Sequence, residues 1–277
     1  LKKCDFVSNR LIDEYLFGIN HPYGKYSSTI AYDALHPEQL RRFFDQYYVN
    51  GHCTIFVAGK LPHNIETLLN ENFGSLPLNK AQLPHLTHPA EAATEKKYRI
   101  INDKEGIQGA IRIASHFPGI HHPHFTKAQV LNTLFGGYFG SRLMSNIRED
   151  KGYTYGIHSY MQNHVQQSAW MISTEAGKEV CEATITEVYK EMQVLREKTV
   201  SEEELLLVKN FLIGTILGDL DGPFHIIGRW KNIILNELAE DYFYTSVAGI
   251  KNVTTKEIQE LANQYLLPEK FYELVVV

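Results

Sequence analysis

The sequence has no excess of positive charge, no long hydrophobic run and no apolar N-terminal segment. Its formal net charge of −5 at pH 7 provides no basic face of the kind that binds nucleic acid. The longest apolar runs, such as FLIGTIL at 211–217, are too short to cross a membrane. LKKCDF at the start is unlike a signal peptide, because no apolar stretch follows its lysines. We therefore expect neither a nucleic-acid partner nor a membrane span.

Cysteine is also scarce, and Cys4, Cys53 and Cys181 lie far apart in the sequence. An odd number of isolated cysteines forms neither a CxxC pair nor a disulfide framework, so we interpret them as buried or incidental thiols. This pattern fits a reducing compartment and slightly favours a cytoplasmic over a periplasmic location, without excluding the latter.

The sequence also lacks the common motifs of nucleotide and zinc sites. HExxH and HxxEH are both absent, and the nearest approach, His63 and Glu66, is followed by Thr67 where a second histidine would be needed. The histidine-rich loop HFPGIHHPH at 116–124 carries prolines that predict an exposed loop rather than a metal site; its candidate ligands are His116, His121, His122 and His124. We therefore expect no metal ligands in this chain.

Three glycines, Gly136, Gly137 and Gly140, faintly resemble a dinucleotide fingerprint. They lie inside a helical pattern rather than between a strand and a helix, so the resemblance to a nucleotide site is weak. We expect them to permit close backbone packing or a helix distortion instead.

What is present is typical of a soluble globular protein large enough for two domains, with 44% hydrophobic and 21% charged residues. Apolar periodicity predicts a mixture of helices and strands. The predicted helices are 8–19 with Ser8 as cap, 36–48 with Leu40, Phe43, Phe44 and Tyr47 facing inward, 63–74, 125–149, 178–196, 201–218, 224–238, 240–250 and 255–267, and the predicted strands are 53–59, 96–103, 107–115, 155–162, 168–175 and 271–277.

One pattern occurs twice. When residues 36–58 are set against the end of the chain at a shift of 218, helix and strand positions coincide. The matched pairs include Leu40 with Ile258, Phe43 with Leu261, Gln46 with Gln264 and Tyr47 with Tyr265. A chance match of two amphipathic helices is the alternative, but the shared helix–turn–strand phase favours a duplication. The first copy then lacks its N-terminal part, which, like the missing initiator Met, suggests a piece of a longer protein.

Arg148 and Tyr155 are the candidate site residues. Each has an ordinary structural explanation, since a cation is favourable at a helix C-terminus and a tyrosine is common in a strand. Against this, Lys151-Gly152 predicts a turn that folds the strand back beside the helix end. A guanidinium and a phenol at that place could bind a peptide carbonyl and stabilise an oxyanion.

HPYGKY at 21–26 and LNTLFGGYFGSRLMSNIREDKGYTYG at 131–156 resemble the M16 (pitrilysin/insulinase) family of zinc metallopeptidases, specifically its C-terminal, inactive-type domain. The resemblance implies paired α+β units of the LuxS/metallohydrolase-like type, each an antiparallel sheet flanked by helices. It implies that the first unit holds zinc through HxxEH and a distal glutamate, and that the second contributes an arginine and a tyrosine, here Arg148 and Tyr155. A peptide or unfolded polypeptide would bind between the units.

On this basis we expect residues 1–75 to be the C-terminal part of a first unit, 76–94 a linker, and 95–277 a complete second unit. The expected function is substrate binding and oxyanion stabilisation in a longer peptidase whose zinc lies in its missing N-terminal half. The isolated chain should be inactive, and its incomplete first unit could lead to self-association. The alternative is a non-catalytic M16-like subunit or interaction homologue.

Overall fold

The computed structural model describes residues 3–77, 86–165 and 167–277, so residues 78–85 of the predicted linker lie outside the described residues. In chain order the helices are α1 (Cys4–Phe17), α2 (Thr29–Asp33), α3 (Pro37–Phe44), α4 (Ile65–Phe73), α5 (Phe125–Asn132), α6 (Cys181–Glu197), α7 (Glu202–Gly218), α8 (Pro223–Leu235), α9 (Tyr242–Asn252) and α10 (Thr255–Tyr265), and the strands are β1 (Lys97–Ile100), β2 (Gln108–Phe117), β3 (Thr154–Asn163), β4 (Ser168–Gly177) and β5 (Tyr272–Val276). Within these ranges no helix is both long and apolar enough to cross a bilayer.

The chain forms two compact units that differ from the predicted division of the sequence. The first comprises the N-terminal segment up to Lys25, His88–Leu217 and Leu238–Val277, and the second comprises Tyr26–Thr87 and Gly218–Glu237. Helix α1, predicted to belong to the incomplete first copy, thus groups with the sheet of the complete copy.

The described strands form one five-stranded sheet in the first unit, in the order β1-β5-β2-β4-β3. Neighbouring pairs are antiparallel except β1 and β5, which run parallel. The predicted α+β architecture is confirmed, with a mixed rather than purely antiparallel sheet. Strand β3 lies at an edge of this sheet, and this places the candidate site residue Tyr155 there as well.

Helices cover both faces of the sheet because its central strands are apolar on both sides. Val275 of β5 and Phe271, which directly precedes this strand, belong to the larger core, to which α5, α6 and α10 also contribute. The alternate residues Tyr272, Leu274 and Val276 belong to a second core that contains residues of α1. Period-two alternation therefore divides one strand between two hydrophobic layers.

A buried ion pair fixes α1 against the sheet. Arg112 on β2 is 1% exposed, and its guanidinium pairs with the carboxylate of Asp5. Its Nε also donates to Asn9 Oδ1 at 2.9 Å, and Nη1 donates to the carbonyl of Ile111 at 2.8 Å. These partners compensate much of the desolvation of the charge, so losing Asp5 would leave a poorly solvated cation. Ser8, predicted to cap this helix, lies inside it and donates to the Asp5 carbonyl at 2.8 Å.

The described part of the second unit is helical, and here two predictions are wrong. Residues 53–59 form no strand, because no described neighbouring strand pairs with them. The side chains predicted to face inward are roughly half exposed: Leu40 56%, Phe43 54%, Phe44 52% and Tyr47 56%. The amphipathic pattern therefore forms a helix as expected, but the described chain supplies no core to cover it.

The predicted long helix at 125–149 is interrupted. After α5 it widens into a π-helical turn at Thr133–Gly137, and Tyr138 is extended, with φ −152°. A Cβ at Gly136 would lie 2.7 Å from the Cβ of Ser159, so glycine permits the close approach of this segment to β3. The expectation of tight packing and helix distortion is confirmed, although the distortion is large enough to end the helix.

A sharp reversal follows the second helical piece, Met144–Asp150. Gly152 adopts φ +66°, in the left-handed region, and its N–H donates to the Arg148 carbonyl at 3.1 Å. The N–H of Tyr153 then donates to the Ile147 carbonyl at 3.0 Å. The turn predicted at Lys151-Gly152 is thus present, and it directs the chain into β3.

Asp13 on α1 is expected to make stability depend on pH. Burial raises its pKa from 3.8 to about 6, although a hydrogen bond with Gln162 partly offsets the effect by lowering the pKa. The pKa of Asp13 is therefore higher in the folded protein than in the unfolded chain. The protonated carboxyl favours folding below about pH 4, and this contribution to stability is lost as the pH rises through about 6. We predict that Asp13→Asn raises the unfolding free energy by about 1–3 kcal/mol at neutral pH and much less in acid. Urea unfolding of the wild type and the variant between about pH 4 and 7, with Glu14→Gln as control, tests this prediction. A difference in unfolding free energy that does not change with pH would contradict it.

Gly152 provides a second stability prediction. Among described atoms nothing lies within 4 Å of a Cβ placed there, so backbone strain alone should oppose a side chain. We expect Gly152→Ala to cost about 1–2 kcal/mol, the usual penalty for a left-handed L-residue. The control is Gly214→Ala in α7, where the Cβ is also uncrowded and alanine should add about 0.5–1 kcal/mol of stability. Equal effects of the two substitutions on thermal unfolding would show that the reversal is not strained.

Candidate active site

Arg148 lies at the surface on the last turn before the reversal. Its Nη1 is 3.3 Å from Glu149 Oε1, and its guanidinium carbon is 4.7 Å from the centre of the Phe139 ring. About a third of its side chain is exposed, so its N–H groups can reach a ligand at the surface. An arginine in this position is a donor for carbonyl or carboxylate oxygens.

Tyr155 is 93% exposed at the start of β3. The register between β3 and β4 shifts between Thr154 and Ile157, so Tyr155 and Gly156 occupy a β-bulge. Bulges turn side chains away from the regular alternation of a strand. Thr154 fixes this bulge, because its Oγ1 donates to the Glu175 carbonyl at 2.7 Å and accepts from the Gly156 N–H at 3.1 Å.

The two candidates therefore lie on either side of one reversal, both at the surface. In the described part of the chain no hydrogen bond joins their side chains. The turn connects the two segments that carry them; the Tyr155 side chain is exposed and that of Arg148 is partly exposed.

Polar contacts anchor the helical piece that carries Arg148. Arg142 forms a two-pronged ion pair with Glu204, with Nε–Oε1 at 2.8 Å and Nη2–Oε2 at 2.9 Å. This carboxylate raises the pKa of Arg142, which is charged at any physiological pH. Asn146 Nδ2 donates to Glu191 Oε1 at 2.8 Å and to Glu187 Oε2 at 3.2 Å on α6. The segment is thus fixed to α7 by one residue and to α6 by another.

A buried network anchors β3 and was not anticipated from the sequence. Ser159 donates to Asn132 Oδ1 at 2.7 Å, and Asn132 Nδ2 donates to the Ser159 carbonyl at 3.0 Å. The indole N–H of Trp170 donates to Ser159 Oγ at 2.8 Å. Each buried hydrogen bond of this kind is worth about 1 kcal/mol, and leaving one partner unsatisfied costs more. No spacing rule links residues 27 positions apart, so only the fold reveals the network.

Two side chains of the histidine-rich loop, His122 and His124, make contacts within the protein. His122 Nδ1 accepts the backbone N–H of His124 at 3.1 Å, and His124 Nδ1 lies 2.9 Å from the Tyr265 hydroxyl. Burial and the neighbouring His124 lower the pKa of His122. Across residues 3–77, 86–165 and 167–277, no three histidine, cysteine or acidic side chains are grouped so that they could hold a metal ion.

Comparisons with known proteins agree with the fold. The family model described as "Peptidase M16 inactive domain" matches residues 34–212, more than half of the chain. An uncharacterised zinc protease of Bacillus subtilis, YmxG, is 24% identical over 249 residues, which cover 84% of this chain and 59% of the relative. A second protein of that organism, the probable inactive metalloprotease YmfF, is 20% identical and covers 98% of this chain and 62% of its own length.

A solved structure supports the same fold. The M16 inactive domain from Pseudomonas fluorescens superposes with a TM-score of 0.82 at 20% identity, over 99% of this chain and 66% of that one. The present chain spans about three fifths of the length of the curated relatives it matches. Together the matched family model and the shared fold show that this chain belongs to the M16 peptidase family and corresponds to its inactive domain.

Proposed function

We propose that this chain is the C-terminal part of an M16 zinc peptidase and that it binds the peptide substrate and stabilises the oxyanion of the reaction. The observation that carries the proposal is the placement of Arg148 and Tyr155 on one anchored reversal, with both functional groups at the surface. Similarity to zinc proteases supports the general class of reaction.

The roles follow from the chemistry of the two groups. The guanidinium of Arg148 donates several N–H bonds in one plane, which suits a peptide carbonyl oxygen. The phenol of Tyr155 can donate an O–H bond to the same oxygen as negative charge develops on it. Donors fixed before reaction stabilise that charge without reorganising, which is the principal advantage of an oxyanion site.

The residues of this chain do not fit a zinc site of their own. HxxEH is absent from the sequence, and the described residues contain no suitable cluster of ligands. We therefore assign the zinc to the remainder of the longer protein. The contribution of this chain is to hold and polarise the substrate.

The second unit exposes many apolar side chains. We infer that the N-terminal half of the longer protein is the partner that covers them. These apolar side chains include Ile30 (81% exposed), Leu40, Phe43, Phe44, Tyr47, Tyr48 (66%) and Ile55. In the matching copy, Ile258 and Leu261 on α10 are 0% and 5% exposed, and β5 is paired in the sheet. The same pattern thus has a core in one copy and lacks one in the other, so we infer that the N-terminal half covers the first copy. In its absence, self-association through this surface is the expected alternative.

The second candidate function is a non-catalytic M16-like subunit that binds a peptide or partner without cleaving it. The similarity to a probable inactive metalloprotease over 98% of this chain favours keeping it. The residues encoded upstream of Leu1 discriminate between the two functions. An HxxEH motif there indicates the peptidase, and a degraded motif indicates the non-catalytic subunit.

We predict that Arg148→Ala or Tyr155→Phe in the full-length protein lowers kcat/KM for an unfolded peptide by roughly 10²-fold, the scale of losing one oxyanion donor. Matched controls are Arg10→Ala on α1 and Tyr244→Phe, whose side chain is 73% exposed. Steady-state hydrolysis is the measurement. Unchanged kcat/KM in both site variants would exclude these residues from the mechanism.

A second prediction concerns metal. The isolated chain should bind no stoichiometric zinc, because the histidines that the structure describes are not grouped as ligands. Metal analysis after dialysis against zinc tests this, with the variant His122→Asn as a comparison. One equivalent of tightly held zinc that is lost in this variant would overturn our interpretation of the 116–124 loop.

A further inference from the structure

Phe139 is an exposed aromatic residue that core packing does not explain. Its side chain is 65% exposed, so it contributes little to the hydrophobic core. It lies in the turn that separates the two helical pieces, between Tyr138 and Gly140. The contact recorded for its ring is the guanidinium of Arg148, 4.7 Å from the ring centre.

The turn that carries Phe139 is anchored on both sides. The ring of Tyr138 packs 4.9 Å from that of Phe211 on α7, and the Tyr138 carbonyl accepts the N–H of Ser141 at 3.1 Å. A Cβ at Gly140 would lie 2.8 Å from the Tyr138 ring, so glycine allows the tight turn. Phe139 is therefore held at a defined place rather than on a free loop.

Two neighbours hold the Arg148 guanidinium. The Phe139 ring centre lies 4.7 Å from its carbon, and Glu149 Oε1 lies 3.3 Å from its Nη1. Together these contacts restrict the rotamers of a long side chain that would otherwise move freely at the surface. About a third of the Arg148 side chain stays exposed to solvent, so it can still donate to a bound group.

We propose that Phe139 is a positioning residue: its ring holds the Arg148 guanidinium in the orientation that binds the substrate carbonyl. This inference rests on the proposed function of Arg148. A preorganised donor loses less entropy when the substrate binds and when the oxyanion forms. Phe139 therefore acts through Arg148 and need not touch the reacting atoms.

The test is a double-mutant cycle in the full-length protein with an unfolded peptide as substrate. Phe139→Leu should lower kcat/KM by about two- to fivefold in the native background, the range of an exposed cation–π contact. It should have little further effect in an Arg148→Ala background, since nothing is left to position. Phe139→Tyr, which keeps the ring, should retain native kcat/KM. The matched control is Phe6→Leu, which removes a similar stack under Arg10, 4.2 Å from its ring, and should leave kcat/KM unchanged.

The outcomes separate this proposal from the function on which it rests. Equal losses for Phe139→Leu in both backgrounds, or no loss in the native one, would overturn the positioning role while leaving Arg148 in place. No loss for Arg148→Ala would overturn the proposed function and the positioning role with it. If the full-length protein does not cleave peptides, the Kd of a fluorescent peptide is measured for the same variants. Additive effects of Phe139→Leu and Arg148→Ala on this Kd would equally overturn the proposal.

Discussion

The candidate site depends on a single left-handed residue, Gly152. Its positive φ allows the chain to leave the helical piece at Asp150 and enter β3 within a few residues. Two backbone hydrogen bonds, to the carbonyls of Ile147 and Arg148, close this reversal. Around it, Arg142, Asn146 and the Asn132–Ser159–Trp170 network fix the surrounding segments to three different elements. Two surface side chains are thereby held on rigid backbone, as a site that must aim donors at one atom requires.

The same helix–strand pattern meets two different environments in this chain. Its second copy is buried and its strand pairs in the sheet. The helix of its first copy is half exposed, and none of the described strands pairs with the segment that follows it. Since the local patterns match, the difference must come from what packs against them. This contrast is the strongest physical argument in the molecule for a missing partner. It also explains why helix α1 can pack on the complete copy: that sheet is apolar on both faces and requires a second cover.

The sequence predicted those elements whose information is local. Strands β3 and β4, helix α10 and the turn at Lys151-Gly152 all lie where periodicity and turn residues put them. Non-local packing explains the failures. The predicted 125–149 helix is interrupted where Gly136 approaches Ser159, and the Arg112–Asp5 pair joins residues 107 positions apart. Residues 53–59 have the composition of a buried strand. A strand forms only when it hydrogen-bonds with a neighbouring strand, and none of the described strands pairs with this segment. At the site, the predicted turn and the resemblance to the M16 family singled out Arg148 and Tyr155 as candidates, whereas the contact of Phe139 with Arg148 became visible only in three dimensions.

Substrate recognition is the contribution that we propose for this chain within the M16 family. The central claim is that Arg148 and Tyr155 meet at one peptide carbonyl, and the most direct measurement is a crystal structure of the full-length protein with an uncleaved peptide. Our account predicts that the Arg148 guanidinium and the Tyr155 hydroxyl both lie within hydrogen-bonding distance, about 3 Å, of the same carbonyl oxygen. A peptide bound with both side chains directed into solvent would contradict it.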